Sequence, residues 1–211
     1  MDKKQKLINH WISSGTIKDK KVIESFKKIP REIFMKKENQ DEAYGDYPLP
    51  IGEGQTISQP TTVMLMTEAL ELKEGDKVLE VGTGSGYQAA IIANIVGYKG
   101  EIISTEIIKY LAEFAKNNIE KLNLKNVRII NIDGSKGWEE EAPYDKIIIT
   151  AACPEIPKVL IKQLKENGII VAPVGNMNEQ FMIKGVKKNN KLIKENLGQF
   201  MFVPLKGKYG Y

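Results

Sequence analysis

At 211 residues the chain is long enough for one domain that buries about 70% of its unfolded surface without disulfide or metal staples. With 42% hydrophobic and 27% charged residues it is neither disordered nor fibrous, and its apolar runs fall far short of a membrane span. The net charge of +4 is uneven: 11 basic and 5 acidic groups over residues 1–40, 10 and 18 over 41–150, and 10 and 4 over 151–211.

Only Arg31 and Arg128 are arginines among the 31 basic residues. Base-specific reading of nucleic acid leans on bidentate arginine, so the basic balance reads as solvated lysine and no nucleic-acid partner is expected. No membrane partner is expected either. The start, Met1-Asp2-Lys3-Lys4-Gln5-Lys6, has no apolar core or small-residue cleavage site. A secretory signal is therefore not expected, and the expected compartment is the cytoplasm. Cys153 is the single cysteine and His10 the single histidine. That composition excludes an internal disulfide and a Cys-x-x-Cys site, and speaks against a zinc centre or a Ser-His-Asp triad. His10 reads as a surface residue and Cys153 as a small buried one.

Leu7, Ile8, Trp11 and Ile12 form one helical stripe, and Val22, Ile23, Phe26 and Ile29 a second, opened by Asp19 and stopped at Pro30. Residues 41–60, rich in Gly and Pro, read as an irregular but ordered loop. Ser58 is the expected N-cap of a helix over about 61–71, with Pro60 near its first turn. From residue 76 strands and helices alternate. Strands are expected at 77–81, 101–105, 127–132, 146–150 and 169–174, with helices ending near Val96 and spanning 107–122 and about 156–164. Late strands are expected at 181–186, 192–194 and 200–203. Such alternation implies a parallel sheet covered by helices on both faces, with right-handed crossovers.

The chemistry concentrates after the first of these strands. Gly82-Thr83-Gly84-Ser85-Gly86 is a glycine-rich strand-to-helix turn that lets a ligand approach the backbone. The third position of a dinucleotide fingerprint counted from Gly82 falls on Tyr87, which is too large, so a nicotinamide dehydrogenase is disfavoured. Glu80, before the turn, suits a ligand with a positive centre such as S-adenosylmethionine. Glu106 follows the next strand, 20 residues after Gly86, where an acid can take two ribose hydroxyls. Asp133, after the third strand, can reach an adenine amine. Three acids at the carboxyl ends of successive strands mark the edge where open parallel sheets bind ligands.

Val78-Leu79-Glu80-Val81-Gly82-Thr83-Gly84-Ser85-Gly86-Tyr87 and, more specifically, Pro50-Ile51-Gly52-Glu53-Gly54-Gln55-Thr56-Ile57-Ser58-Gln59-Pro60 resemble the motifs of the protein-L-isoaspartate (D-aspartate) O-methyltransferase family. Further matches are Ile29-Pro30-Arg31-Glu32, Ala142-Pro143-Tyr144-Asp145, Thr150-Ala151-Ala152, Pro173-Val174-Gly175 and Phe202-Val203-Pro204-Leu205. The resemblance implies an α/β, Rossmann-like methyltransferase fold. It has a seven-stranded, mostly parallel sheet with helices on both faces, an N-terminal helical extension, and its last two strands placed differently from the usual order. It also implies one domain over 1–211, divided into N-terminal helices (1–40), an active-site loop (41–60), a cofactor-binding core (61–175) and C-terminal strands (176–211).

The implied cofactor is S-adenosyl-L-methionine, leaving as S-adenosyl-L-homocysteine. It would be held by Thr56, Ile57, Glu80, Gly82, Thr83, Gly84, Ser85, Gly86, Glu106, Ile107, Asp133 and Gly134, with Ser58 as the active-site serine and no metal. The implied substrates are L-isoaspartyl and D-aspartyl residues of damaged proteins and peptides, handled by a monomer. A carboxylate with a pKa near 4 is already ionised at pH 7, which agrees with the lack of a catalytic histidine. The competing reading is a methyltransferase of tRNA or a small molecule on the same sheet. An Asn/Asp-Pro-Pro-Tyr run for adenine methylation is absent, since Thr150-Ala151-Ala152-Cys153-Pro154 stands in that place.

Overall fold

The computed structural model describes residues 2–211; Met1, part of the lysine-rich start, lies outside them. Helix α1 (Lys3–Ser14) opens on Asp2, whose carboxylate accepts the Gln5 N–H at 2.7 Å. Helix α2 (Lys20–Lys28) opens on the expected cap, Asp19, which accepts from Lys21 N. Ile8, Trp11, Val22, Ile23 and Phe26 are buried as their spacing requires. Ile12 departs from its stripe and is 59% exposed. Ser25 Oγ donates to Ile91 O at 2.8 Å, which fixes α2 against the helix that follows the glycine turn.

The 41–60 segment is more regular than its composition suggests. It holds the antiparallel hairpin β1 (Leu49–Gly52) and β2 (Gln55–Ile57), turned through Glu53 and Gly54, both at positive φ. Helix α3 runs Pro60–Ala69, so Gln59 rather than Ser58 is the cap residue. Gln59 Oε1 accepts from Thr62 Oγ1 at 3.1 Å, and the Ser58 side chain makes no capping bond. Pro60 at the first helical position has no N–H to satisfy, and the next N–H, of Thr61, donates to Asp46 Oδ1 at 3.0 Å.

The sheet contains β3 (Lys77–Val81), β4 (Glu101–Thr105), β5 (Val127–Ile130), β6 (Tyr144–Ile149), β7 (Leu164–Gly175), β8 (Gln180–Lys188) and β9 (Lys191–Phe200). Their order is β5-β4-β3-β6-β7-β8-β9. The first five run parallel, while β8 and β9 add in chain order as antiparallel partners. Helices α4 (Tyr87–Val96), α5 (Lys109–Lys121) and α6 (Lys158–Gln163) join them. β3, β4 and β6 are buried nearly throughout, as strands covered on both faces must be.

The sheet's later part departs from expectation. β7 starts at Leu164, directly after α6, through an irregular register opposite Tyr144 and Lys146. The two short strands expected at 192–194 and 200–203 are one long strand, β9, and Met201 to Val203 lie outside the sheet. Asn189 and Asn190, both at positive φ, make the tight turn that aligns β9 against β8. β9 is an exposed edge strand, so it carries Lys191, Lys194 and Glu195 where an interior strand would be apolar.

Candidate active site

The chain runs β3 to β4 to β5 in one direction, then returns to place β6 beside β3 on the other side. That reversal opens a crevice at the carboxyl ends of β3 and β6. The glycine turn lies there. Gly82 has φ 96°, and a Cβ on it would meet Thr150 Oγ1 at 2.5 Å. Thr150 follows β6 and donates its hydroxyl to the carbonyls of Val81 (3.1 Å) and Gly82, so the two strand ends are laced together at the turn. Gly86, at φ 89°, plays a different part. A Cβ there would lie 3.3 Å from Ala115 Cβ, so this glycine lets α4 pack closely on α5.

A cavity at this crevice is walled by Thr56, Ile57 and Ser58 from the hairpin, Gly82, Thr83, Gly84 and Ser85 from the turn, Glu106 and Ile107 after β4, and Gly134 after β5. Ten sequence-predicted residues are thus brought together. Three are not. Gly86 faces α5. Glu80 lies beneath the turn, fully buried, with Ser104 Oγ donating to Oε2 and with Oε1 unpartnered. Burial pushes its carboxyl up to about 8, the Ser104 hydrogen bond opposing and the Glu106 charge adding to the rise. Glu80 is not among the residues that wall the cavity, so the structure does not give it the direct contact its position suggested. Asp133 is also off the wall. Its Oδ1 accepts from Ser135 N (3.0 Å) and Ser135 Oγ (2.6 Å), and its Oδ2 accepts from Lys208 N (2.9 Å). The C-terminal residues therefore lie over Asp133.

The sequence reading missed Thr150 and the segment Val203 to Lys206, all of which line the cavity. Thr150 and Val203 to Leu205 stood among the matched motifs, but without a role, and Lys206 lay just beyond them. The segment is fixed by Ala152, whose N–H donates to Val203 O and whose carbonyl accepts from Leu205 N, each at 2.8 Å. Cys153 is fully buried as expected, its thiol pushed up to about 12 by burial. His10 is exposed on α1 and does not line the cavity.

Ser58 has a second neighbour. An adjoining cleft is lined by Pro48, Gln59, Thr62, Phe200, Met201 and Phe202 among others. Thr56, Ser58, Thr150 and Val203 line both spaces and form the partition between them. Among the described residues nothing takes the Ser58 hydroxyl, so it remains available at the junction.

The cavity suits an adenosyl ligand. A glycine turn offers close backbone approach, and only Ile51 Cδ1, at 3.6 Å, lies near a Cβ built on Gly84. Glu106 presents a carboxylate beside the turn, one oxygen accepting Gly84 N and the other Ile108 N, each at 2.9 Å, with lone pairs left for ribose hydroxyls. The sheet order, the glycine turn and this acid define a methyltransferase that uses S-adenosylmethionine.

Comparison with known proteins narrows the class. The chain belongs to the protein-L-isoaspartate(D-aspartate) O-methyltransferase family, whose model it matches over residues 2–210. It is 52% identical to protein-L-isoaspartate O-methyltransferase 2 of Archaeoglobus fulgidus over 192 residues, covering 91% of this chain and 88% of the relative. It is 49% identical to the Methanococcus aeolicus protein-L-isoaspartate O-methyltransferase over 209 residues, covering 99% and 96%. A solved protein-L-isoaspartate O-methyltransferase superposes with a TM-score of 0.90 at 32% identity, covering 98% of this chain and 67% of that one. A Plasmodium falciparum structure in complex with S-adenosyl-L-homocysteine superposes with a TM-score of 0.86 at 29% identity, covering 98% and 99%.

Proposed function

We propose that the enzyme methylates the α-carboxyl group of L-isoaspartyl residues and the side-chain carboxyl of D-aspartyl residues in damaged proteins and peptides. The observation that carries this reading is the shared partition. Ser58 stands between a cavity fit for the methyl donor and an open cleft for an acceptor chain. Bound S-adenosylmethionine supplies a methyl group on a positively charged sulfonium and leaves as S-adenosylhomocysteine. The ionised acceptor carboxylate needs no general base, so the chain's task is alignment. Glu106, Gly82 to Ser85, Ile107 and Gly134 hold the donor's adenosyl side. Thr56 and Ile57 close the cavity from the hairpin. Ser58 Oγ donates a hydrogen bond to the acceptor carboxylate and holds one oxygen in line with the methyl carbon. The released methyl ester collapses to a succinimide without further catalysis, and its hydrolysis returns some normal aspartate.

Among the described residues no helix is long and apolar enough to cross a membrane, and cytoplasmic protein repair is the setting we infer. The cleft lining contains no Lys or Arg, which disfavours a tRNA acceptor, since phosphate backbones are bound by basic side chains.

The test is transfer from labelled S-adenosylmethionine to an isoaspartyl peptide beside its normal aspartyl twin. Label in the isoaspartyl peptide alone supports the reading; label in neither removes it.

A further inference from the structure

Arg31 opens a short 3-10 helix, Arg31–Phe34, after Pro30 and is fully buried. Buried arginines ordinarily meet carboxylates, because an unpaired charge inside a protein is costly. This one meets carbonyls instead. Its Nη1 donates to Ala43 O, and its Nη2 donates to Ser58 O at 2.9 Å and, at 3.4 Å, to Tyr47 O. The three acceptors are spread along the segment that ends at the partition between the two cavities. Asp46 lies near enough to act on the guanidinium through its charge, but no ion pair forms.

The bond to Ser58 matters because Ser58 has no other. It lies between β2 and α3, in neither element. Among the described residues the guanidinium supplies its only hydrogen bond, from main chain or side chain. Arg31 is itself rooted. Its N–H donates to Tyr44 Oη at 3.3 Å, and that hydroxyl donates to Glu32 Oε2 at 2.6 Å. The preceding helix α2 is fixed to α4 through Ser25.

We propose that Arg31 is a positioning residue for methyl transfer, a buried fork that sets the main chain at Ala43, Tyr47 and Ser58 and thereby aims the Ser58 hydroxyl. A planar guanidinium with five donors in fixed directions reaches three carbonyls at once, and it keeps its charge at any working pH. A lysine ammonium on a flexible stem lacks that geometry. This inference rests on the methyl-transfer reading, and its test includes a readout that does not depend on turnover.

The experiment compares the wild-type chain with Arg31→Lys, Arg31→Gln and Arg31→Ala. Amide hydrogen exchange is measured over residues 43–58 and over the sheet core 77–149, alongside kcat and the KM for each substrate. The expected result for Arg31→Lys is faster exchange confined to 43–58, kcat lower by roughly 10- to 100-fold, and the KM for S-adenosylmethionine within about two-fold, because small misplacements are costly in positioned reactions. Methylguanidinium should restore part of the Arg31→Ala turnover, and methylammonium should not. If Arg31→Ala does not fold, the lysine and glutamine variants still decide the matter. Wild-type exchange and turnover in both would overturn the proposal. So would a turnover loss matched by an equal loss of cofactor affinity, because Arg31 would then only support the fold. A wild-type chain that methylates no isoaspartyl peptide ends the functional reading instead, and the exchange measurement still reports on the fork.

Discussion

Glu106 Oε2 accepts the Gly84 N–H at 2.9 Å while its Oε1 accepts the N–H of Ile108, so one carboxylate ties the glycine turn after β3 to the chain leaving β4. The acid we propose for the ribose hydroxyls also shapes the turn beside it. Glu106→Ala therefore removes an acceptor for the cofactor and leaves Gly84 N without its partner. Hydrogen bonds to charged groups contribute roughly 1.5–3 kcal/mol, so affinity for S-adenosylmethionine should fall about 10- to 150-fold. Isothermal calorimetry checks this, and unchanged affinity would take Glu106 out of the site.

Asp133 calls for the opposite expectation. Both of its oxygens are engaged, by Ser135 and by the Lys208 N–H. Burial alone would raise its pKa, but those hydrogen bonds prevail and hold the carboxyl below its ordinary value. Asp133→Ala should free the residues from Lys206 to Tyr211 while weakening cofactor binding less than Glu106→Ala does. Limited proteolysis of the C-terminal end and calorimetry on the same samples test it. Equal cofactor losses in the two variants would return Asp133 to the binding wall.

The difference between these two acids shows where the sequence was legible. Strand periodicity and glycine spacing placed both at the carboxyl edge of the sheet, because that placement depends on local pattern and on the βαβ rule. Neither signal reports what a distant segment does. The Lys208 amide reaches Asp133 across 75 positions, and Val203 reaches the cavity only because Ala152 pairs with it after β6. The hairpin at 49–57 was hidden for another reason. Its four- and three-residue strands are too short for a period, and the glycines that suggested a loop are what allow its turn. β9 was misread because an exposed edge strand has no apolar alternation to detect.

Glu80 gives a pH dependence with a definite sign. The folded carboxyl titrates near 8, against an ordinary 4.5. Between those values the native state holds a proton that the unfolded state has released. The stability associated with this group is full below pH 4.5 and is lost as pH rises through about 8. Gln mimics the neutral acid and does not titrate. Glu80→Gln should therefore gain on the wild type from about pH 5 to pH 8, by up to a few kcal/mol, and then hold a constant lead. Chemical denaturation of both proteins across that range is the measurement, and a pH-independent difference would contradict the buried-acid account. Cofactor affinity should change little, since Glu80 is off the cavity wall.

Ser58 is now separable from the fold in a way its sequence position did not promise. As a helix cap, its loss would cost about 1 kcal/mol and leave chemistry untouched. The structure gives the cap position to Gln59 and leaves the Ser58 hydroxyl without a partner, in the wall shared by the cavity at the glycine turn and the adjoining cleft. Ser58→Ala should thus leave the melting temperature unchanged, because no capping bond is lost and the Arg31 bond runs to the main-chain carbonyl. Affinity for S-adenosylmethionine should also hold. Turnover on an isoaspartyl peptide should drop by roughly 10- to 1,000-fold, the cost of losing an aligning hydrogen bond in a positioned reaction. Ser58→Thr keeps the hydroxyl but adds a methyl group at the partition, so it should retain part of the activity that Ser58→Ala loses. Melting, calorimetry and turnover on the three proteins decide the point. A Ser58→Ala enzyme with wild-type turnover would remove Ser58 from the role of orienting the acceptor carboxylate.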